Sequence, residues 1–241
     1  MQSSIYNSKK NPTTNRRKLL ILALGGLLCD RVLRRENQNR LVAATRPHDA
    51  AYGSFVVYKR PHCQEFLKFC FERFDVAFWT AAKRWYTDNA LDCVMNGLKK
   101  SDIMFAWNQD RCNDSGFKTL NKTDKPLFLK ELKTVLDNLF MVRNASYLAL
   151  NTVMIEDEPY KTLLNPPNTA VFTTEYKFEN MSDNVLAPGG ELWMFLDGLA
   201  RAGDDVPSYV KAHPFGKPAI TPAHSDWAYY KKIIQAHGGS C

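Results

Sequence analysis

Several absences narrow the possibilities for this chain before any motif is considered. None of its six cysteines (Cys29, Cys63, Cys70, Cys93, Cys112, Cys241) forms a CxxC pair, and its five histidines show no HExxH or HxxxH spacing. A structural zinc site is therefore not expected, and scattered cysteines in apolar surroundings fit a reduced compartment. The longest apolar run, Leu19 to Cys29, is too short to span a bilayer and is interrupted by Gly25 and Gly26. Residues 1–16 are polar and basic, so no hydrophobic signal segment lies near Met1. The first 29 residues also contain no Asp or Glu.

That last absence explains the net charge of +7. Residues 1–46 carry ten Lys/Arg against Asp30 and Glu36, whereas the rest of the chain holds 22 basic and 23 acidic residues. The excess is a property of the N-terminal segment. It reads as a solvated tail or as a basic targeting segment, nuclear or organellar. The remainder shows no basic stripe with interleaved aromatics, so no direct nucleic-acid surface is expected.

What is present is an alternation of apolar runs with amphipathic segments. Leu19 to Leu24 is aliphatic without period-2 alternation, as in a parallel strand buried on both faces. Residues 31–54 are charged and irregular, and "SFVVYKRP" follows as a further strand. After Pro61, apolar or Cys positions at 63, 66, 67, 70, 71 and 74 make one helical face. "DVAFWTAA" is a strand ending at Thr80, "RWYTDNALDCVMNGLKK" a helix, and "SDIMFAWNQDRCNDSGFKTL" a strand followed by turns. A strand or helix starts near Lys130, and "TVMIEDEPY" is an apolar run ending in acidic residues. "GGELWMFLDGLARA" and "DDVPSYVKAHPF" read as helices, the second capped by the acidic residues before Pro207. Such alternation predicts an α/β fold with a mostly parallel sheet.

In such sheets, ligands sit beyond the carboxyl ends of the strands. Four points follow: Ala23–Gly26, Thr80, the Lys130 region and Glu156–Glu158. Thr80 offers a hydroxyl, Lys130 a cation, and the Glu156, Asp157, Glu158 run hard oxygen ligands suited to Mg²⁺. Each alone is more often structural: a strand-end Thr, a surface Lys, a helix-capping acidic loop. Together they form an incomplete phosphate site. Trp79, Trp85 and Trp107 could line a peptide groove, although core packing suits at least two of them.

The order of these segments resembles the haloacid dehalogenase superfamily. More narrowly, "RKLLILALGGLLCDR", "RPHCQEFLKFCFERFDVAFWT" and "EDEPYKTLLNPPNT" are similar to the RNA polymerase II C-terminal-domain phosphatase family, also called NLI-interacting-factor-like phosphatases, and particularly to its plant members. The resemblance implies a HAD-like Rossmannoid three-layer sandwich with a small insertion between the second and third motifs. It places the domain at residues 18–234, between a flexible basic tail at 1–17 and a flexible C-terminus at 235–241. It implies a Mg²⁺-dependent phosphoserine or phosphothreonine protein phosphatase that acts on a phosphoprotein or peptide. In that chemistry one strand-end Asp attacks phosphorus and a second acts as general acid and base. Thr80 then takes the phosphate-binding position, Lys130 the cation position, and Glu156 with Asp157 the metal-binding acidic pair.

Here the chain departs from the family pattern. The nucleophile position is Ala23 and the acid/base position is Gly25. Neither can attack phosphorus, ligate Mg²⁺ or move a proton. Asp30 lies seven residues beyond Ala23, where the chain is expected to have left the strand end. The reading that follows is a catalytically impaired, binding or scaffolding homologue in the nucleus or cytoplasm. The alternatives are an active aspartate-dependent phosphatase and a presequence-receptor-like subunit of the mitochondrial inner-membrane translocase.

Overall fold

Strand β1 (Leu19–Leu22) lies at the centre of the sheet, and all four of its side chains are fully buried. It pairs in parallel with β5 (Asp75–Trp79) on one side and with β9 (Thr152–Glu156) on the other. A short edge strand, β6 (Ala106–Trp107), extends the sheet beyond β5, and β10 (Ala170–Phe172) extends it beyond β9. The order β10-β9-β1-β5-β6 is parallel throughout. This is a computed structural model describing residues 17–37, 46–143, 147–203 and 205–238.

The uninterrupted apolar runs have a direct physical cause. Leu20, Leu22, Val76, Phe78, Val153 and Ile155 face one core, shared with helices α2 (Cys63–Arg73) and α5 (Glu191–Arg201). Leu19, Ile21, Ala77, Trp79 and Met154 face the other, closed by α4 (Leu132–Arg143). A strand buried on both faces needs no polar alternation. Helices on both faces of a parallel sheet give the three-layer α/β fold expected from the sequence. The predicted face of α2 is also found, with Cys63, Phe66, Leu67 and Cys70 buried. Asp205 caps α6 (Val206–Ala212), accepting from the Ser208 amide at 2.8 Å, with Pro207 in the first turn.

Several expectations need correction. Residues 31–54 are not irregular throughout: β2 (Cys29–Leu33) and β3 (Ala50–Tyr52) flank β4 (Phe55–Lys59) in a separate antiparallel sheet, with a single turn α1 (Arg34–Asn37) after β2. The "SFVVYKRP" strand therefore belongs to this smaller sheet. Between Thr80 and Lys130, where an insertion is expected, lie α3 (Arg84–Val94), β6 and a hairpin. The hairpin joins β7 (Asn113–Thr119), where the sequence reads only as turns, to β8 (Lys122–Leu129), which runs into the strand or helix start expected near Lys130. Arg17, placed in the tail, belongs to the fold: its guanidinium donates to the Phe74 carbonyl at 2.6 Å. The last helix, α7 (Trp227–Ala236), runs past the expected domain end at Ile234. Residues 1–16 of the tail and Cys241 lie outside the described residues. The other five cysteines are free thiols, and burial pushes the Cys63 thiol up to about 12.

One buried ion pair sets the geometry near the strand ends. Arg60 binds both carboxylate oxygens of Asp183, at 2.7 and 2.8 Å, and donates to the Leu27 carbonyl at 3.2 Å. It thereby fastens the turn after β1 to the segment preceding α5. No helix among the described residues is long and apolar enough to cross a membrane.

Candidate functional site

The chain runs from β1 to β5 and β6 on one side of the sheet, then returns to β9 and β10 on the other. The strand order therefore reverses at β1, where an open α/β sheet forms its ligand crevice. A cavity of about 390 Å³ lies there. Gly25, Gly26, Thr80, Asp157 and Lys161 all line it. Ala23 is 2% exposed and clusters with the apolar core, directly beside Leu24 and Gly25 of the lining. Lys130 and Glu156 are likewise sealed beneath the surface.

Gly26 has a left-handed φ of +79°, and a Cβ there would fall 2.3 Å from Asp157 Oδ2. Glycine therefore lets the β1 turn pass directly against the Asp157 carboxylate. At Gly25 a Cβ would meet nothing within 4 Å. Thr80 follows β5, and its hydroxyl oxygen accepts from the Ala82 amide at 3.2 Å. Lys130 follows β8; its ammonium donates to the Trp79 carbonyl at 2.6 Å and is ion-paired with Glu156.

The residue that sequence reasoning missed is Lys161. It sits on the short turn Pro159–Thr162 that follows the acidic pair. Its ammonium is ion-paired with Asp157 and lies 3.5 Å from the second Glu156 oxygen. Two lysines thus neutralise two carboxylates in a buried row: Lys130, Glu156, Lys161, Asp157. The row is held from behind as well. The Lys130 amide donates to the Lys161 carbonyl at 2.7 Å, and Asn165 donates to the Lys130 carbonyl at 2.9 Å while accepting from the Leu132 amide at 2.8 Å. The available signal was a lysine four residues beyond an aspartate, with Pro159 at the start of a tight turn between them.

Electrostatics within the row follow from burial and pairing. Burial pushes the Asp157 carboxyl up, but Lys161 and then Lys130 pull it further down, leaving it below the usual range. Burial alone would lower Lys161; Asp157 and Glu156 reverse that and hold it well above the ordinary lysine value. For Lys130 burial wins over Glu156, and its ammonium titrates below the ordinary value.

Residues 18–207 match the model of NLI interacting factor-like phosphatases. The chain belongs to that family. An FCP1 homology domain-containing protein of Schizosaccharomyces pombe is 26% identical over 165 residues, covering 67% of this chain and 62% of the relative. The chain thus spans less than two thirds of that relative's length. The solved structure of Fcp1, described as an essential RNA polymerase II CTD phosphatase, aligns with a TM-score of 0.45 at 13% identity, covering 93% of this chain and 63% of that one.

Mg²⁺, which the family resemblance implies, does not suit the donors of this family member. Mg²⁺ asks for at least one or two free carboxylates in near-octahedral geometry. Ala23 supplies no side-chain oxygen, Glu156 is turned to Lys130, and Asp157 is neutralised by Lys161. Asp30 corrects a further expectation. The β1 turn brings the chain back through β2, so Asp30 does line the cavity. Its carboxylate accepts from the Phe178 amide at 3.1 Å, and burial raises its pKa. Of the three tryptophans, Trp79 is core, Trp107 packs edge-on against it at 5.3 Å, and Trp85 is 49% exposed.

Lys161→Met provides a direct test of the lysine row. It leaves Asp157 unpaired, so the variant is expected to melt at lower temperature and to regain stability with millimolar Mg²⁺. The wild type should show no Mg²⁺ shift in differential scanning fluorimetry. A unit charge about 4 Å away is worth about 4 kcal/mol at intermediate dielectric, so the gain in Mg²⁺ affinity should reach about a thousandfold. The sign with pH is also set. Because Asp157 is depressed, its stabilisation is present above the unfolded carboxyl value of about 3.9 and is lost as pH falls through its lower folded value. The Met variant should lose that acid limb. Equal Mg²⁺ shifts in both proteins would disprove the assignment.

Proposed function

We propose that this chain binds a phosphoserine or phosphothreonine side chain of a protein partner in the strand-end cavity without hydrolysing it and without metal. A single observation supports the reading: the positions where the resemblance places the two catalytic carboxylates hold Ala23 and Gly25, while the acidic pair Glu156 and Asp157 is ion-paired with Lys130 and Lys161. Without a nucleophile, the aspartyl-phosphate route has no first step. Binding is a different matter. The cavity keeps the Thr80 hydroxyl, and the lysine row cancels the negative charge that would repel a phosphate.

Fluorescence anisotropy of a phosphoserine peptide against its serine counterpart, with Mg²⁺ or with EDTA, tests binding. Hydrolysis of a small aryl phosphate tests chemistry. Phosphate-dependent binding indifferent to EDTA is expected, with turnover about 10⁴- to 10⁶-fold below that of a family member carrying both aspartates. Turnover comparable to such a member would overturn the reading. The specific alternative would then be Asp30 as nucleophile, since it reaches the cavity wall. Asp30→Asn would abolish turnover in that case.

A further inference from the structure

The cavity's cations are not equivalent. Lys161 is consumed by Asp157 and Glu156, and Lys177 is ion-paired with Glu175. Arg31 and Lys125 also line the cavity, from β2 and β8 respectively, and neither has a carboxylate within ion-pair distance among the described residues. Arg31 lies over aromatic rings, its guanidinium carbon 3.9 Å from the Tyr86 ring centroid and 5.3 Å from that of Phe55. Its Nε is buried and has no hydrogen-bond acceptor among the described residues. Stacking occupies the faces of a guanidinium but leaves its edge, the part that grips an oxyanion with two parallel hydrogen bonds. A buried donor without an acceptor is costly, and an anionic ligand would remove that cost. The neighbouring Asp30 is engaged elsewhere, by the Phe178 amide. Lys125 is exposed on the hairpin; partial desolvation and the nearby Lys161 hold its ammonium below the ordinary lysine range, and an added anion would relieve the second of these effects.

We infer that Arg31 and Lys125 form a second anion subsite on this cavity, which selects phosphopeptides carrying another phosphorylated residue beside the one bound at the strand ends. The inference rests on the phosphopeptide reading above and adds the ligand class. The two residues have different tasks. Arg31 is preorganised by Tyr86 and Phe55 and sets geometry, whereas Lys125 contributes charge from an exposed position. Neither belongs to the lysine row, so changing them leaves the first phosphate position intact.

The experiment uses the full chain and three synthetic peptides: unphosphorylated, singly phosphorylated, and doubly phosphorylated with the second phosphoserine a few residues from the first. Anisotropy titrations should show the second phosphate tightening binding by about tenfold in the wild type. Arg31→Gln and Lys125→Gln should each lose most of that gain and keep the affinity for the singly phosphorylated peptide. Arg31→Lys, which keeps the charge without the fork, should lose most of it too. Lys125 is exposed, so its variant carries no folding risk and keeps the test decisive if Arg31→Gln unfolds. Single-phosphate binding with no further gain from the second phosphate, or an undiminished gain in both Gln variants, overturns the subsite alone. Failure of both phosphopeptides to bind better than the unphosphorylated one overturns the phosphopeptide reading itself.

Discussion

Lys130→Met is expected to lower the unfolding free energy by about 3–5 kcal/mol, a large share of the stability of an ordinary domain. The side chains of Lys130 and Glu156 are 1% and 0% exposed, and Lys130 is the hydrogen-bonded partner of Glu156. Removing it leaves a buried carboxylate with only Lys161, 3.5 Å away and already paired with Asp157. The pair itself is not a net source of stability, since desolvation offsets the attraction. The companion variant Lys130→Met/Glu156→Leu should therefore recover most of the loss, short of the hydrogen bond Lys130 makes to the Trp79 carbonyl. Urea denaturation of the wild type and both variants decides it. If the single variant costs no more than the double, Glu156 is not a charge held in place by Lys130. The pair's role would then be local packing. If the costs fall as expected, the pair is retained for position: it fixes one end of a neutral row whose other end, Asp157, faces the cavity.

The sheet was legible because burial on both faces writes itself into uninterrupted apolar runs at Leu19–Leu22, Asp75–Trp79 and Thr152–Glu156. The elements that escaped have mixed exposure. In β7, Ser115 and Thr119 are buried between exposed neighbours, and small hydroxyl residues in that role carry no hydrophobic signal. In β3 no residue is fully buried, and its pairing to β4 rests on backbone hydrogen bonds that composition does not reveal. The lining of the strand-end cavity was legible where strand ends supply it, at Gly25, Thr80 and Asp157, and less so where it depends on return paths. Asp30 comes back because the Gly25–Gly26 turn reverses the chain into β2. Lys161 comes back because a tight turn folds it over the carboxylates. Arg31 reads as one more charge in an irregular segment until Tyr86, 55 residues on, is seen beneath it.

Ala23→Asp/Gly25→Asp is expected to confer Mg²⁺-dependent hydrolysis of a small aryl phosphate, about 10⁴-fold or more above the wild-type chain. The two substitutions differ in what they ask of the fold. Gly25 has open space where a Cβ would sit, so Gly25→Asp alone should be tolerated and nearly inactive. Ala23 is 2% exposed in the apolar core, so Ala23→Asp alone should be destabilised in EDTA, as a desolvated carboxylate without a partner. Combined, they add two negative charges beside a row that is otherwise neutral, and that charge is what a divalent cation needs in order to compete with Lys161 for Asp157. Mg²⁺ should accordingly raise the melting temperature of the double variant and leave that of the wild type unchanged. If Mg²⁺ stabilises the double variant but no hydrolysis appears, Thr80 and Lys130 do not present phosphate to the first strand end, and the anion position within the cavity must be reassigned. If the wild type already hydrolyses at the rate of the double variant, the binding-only reading fails, and the cavity's own carboxylate, Asp30, becomes the group to remove.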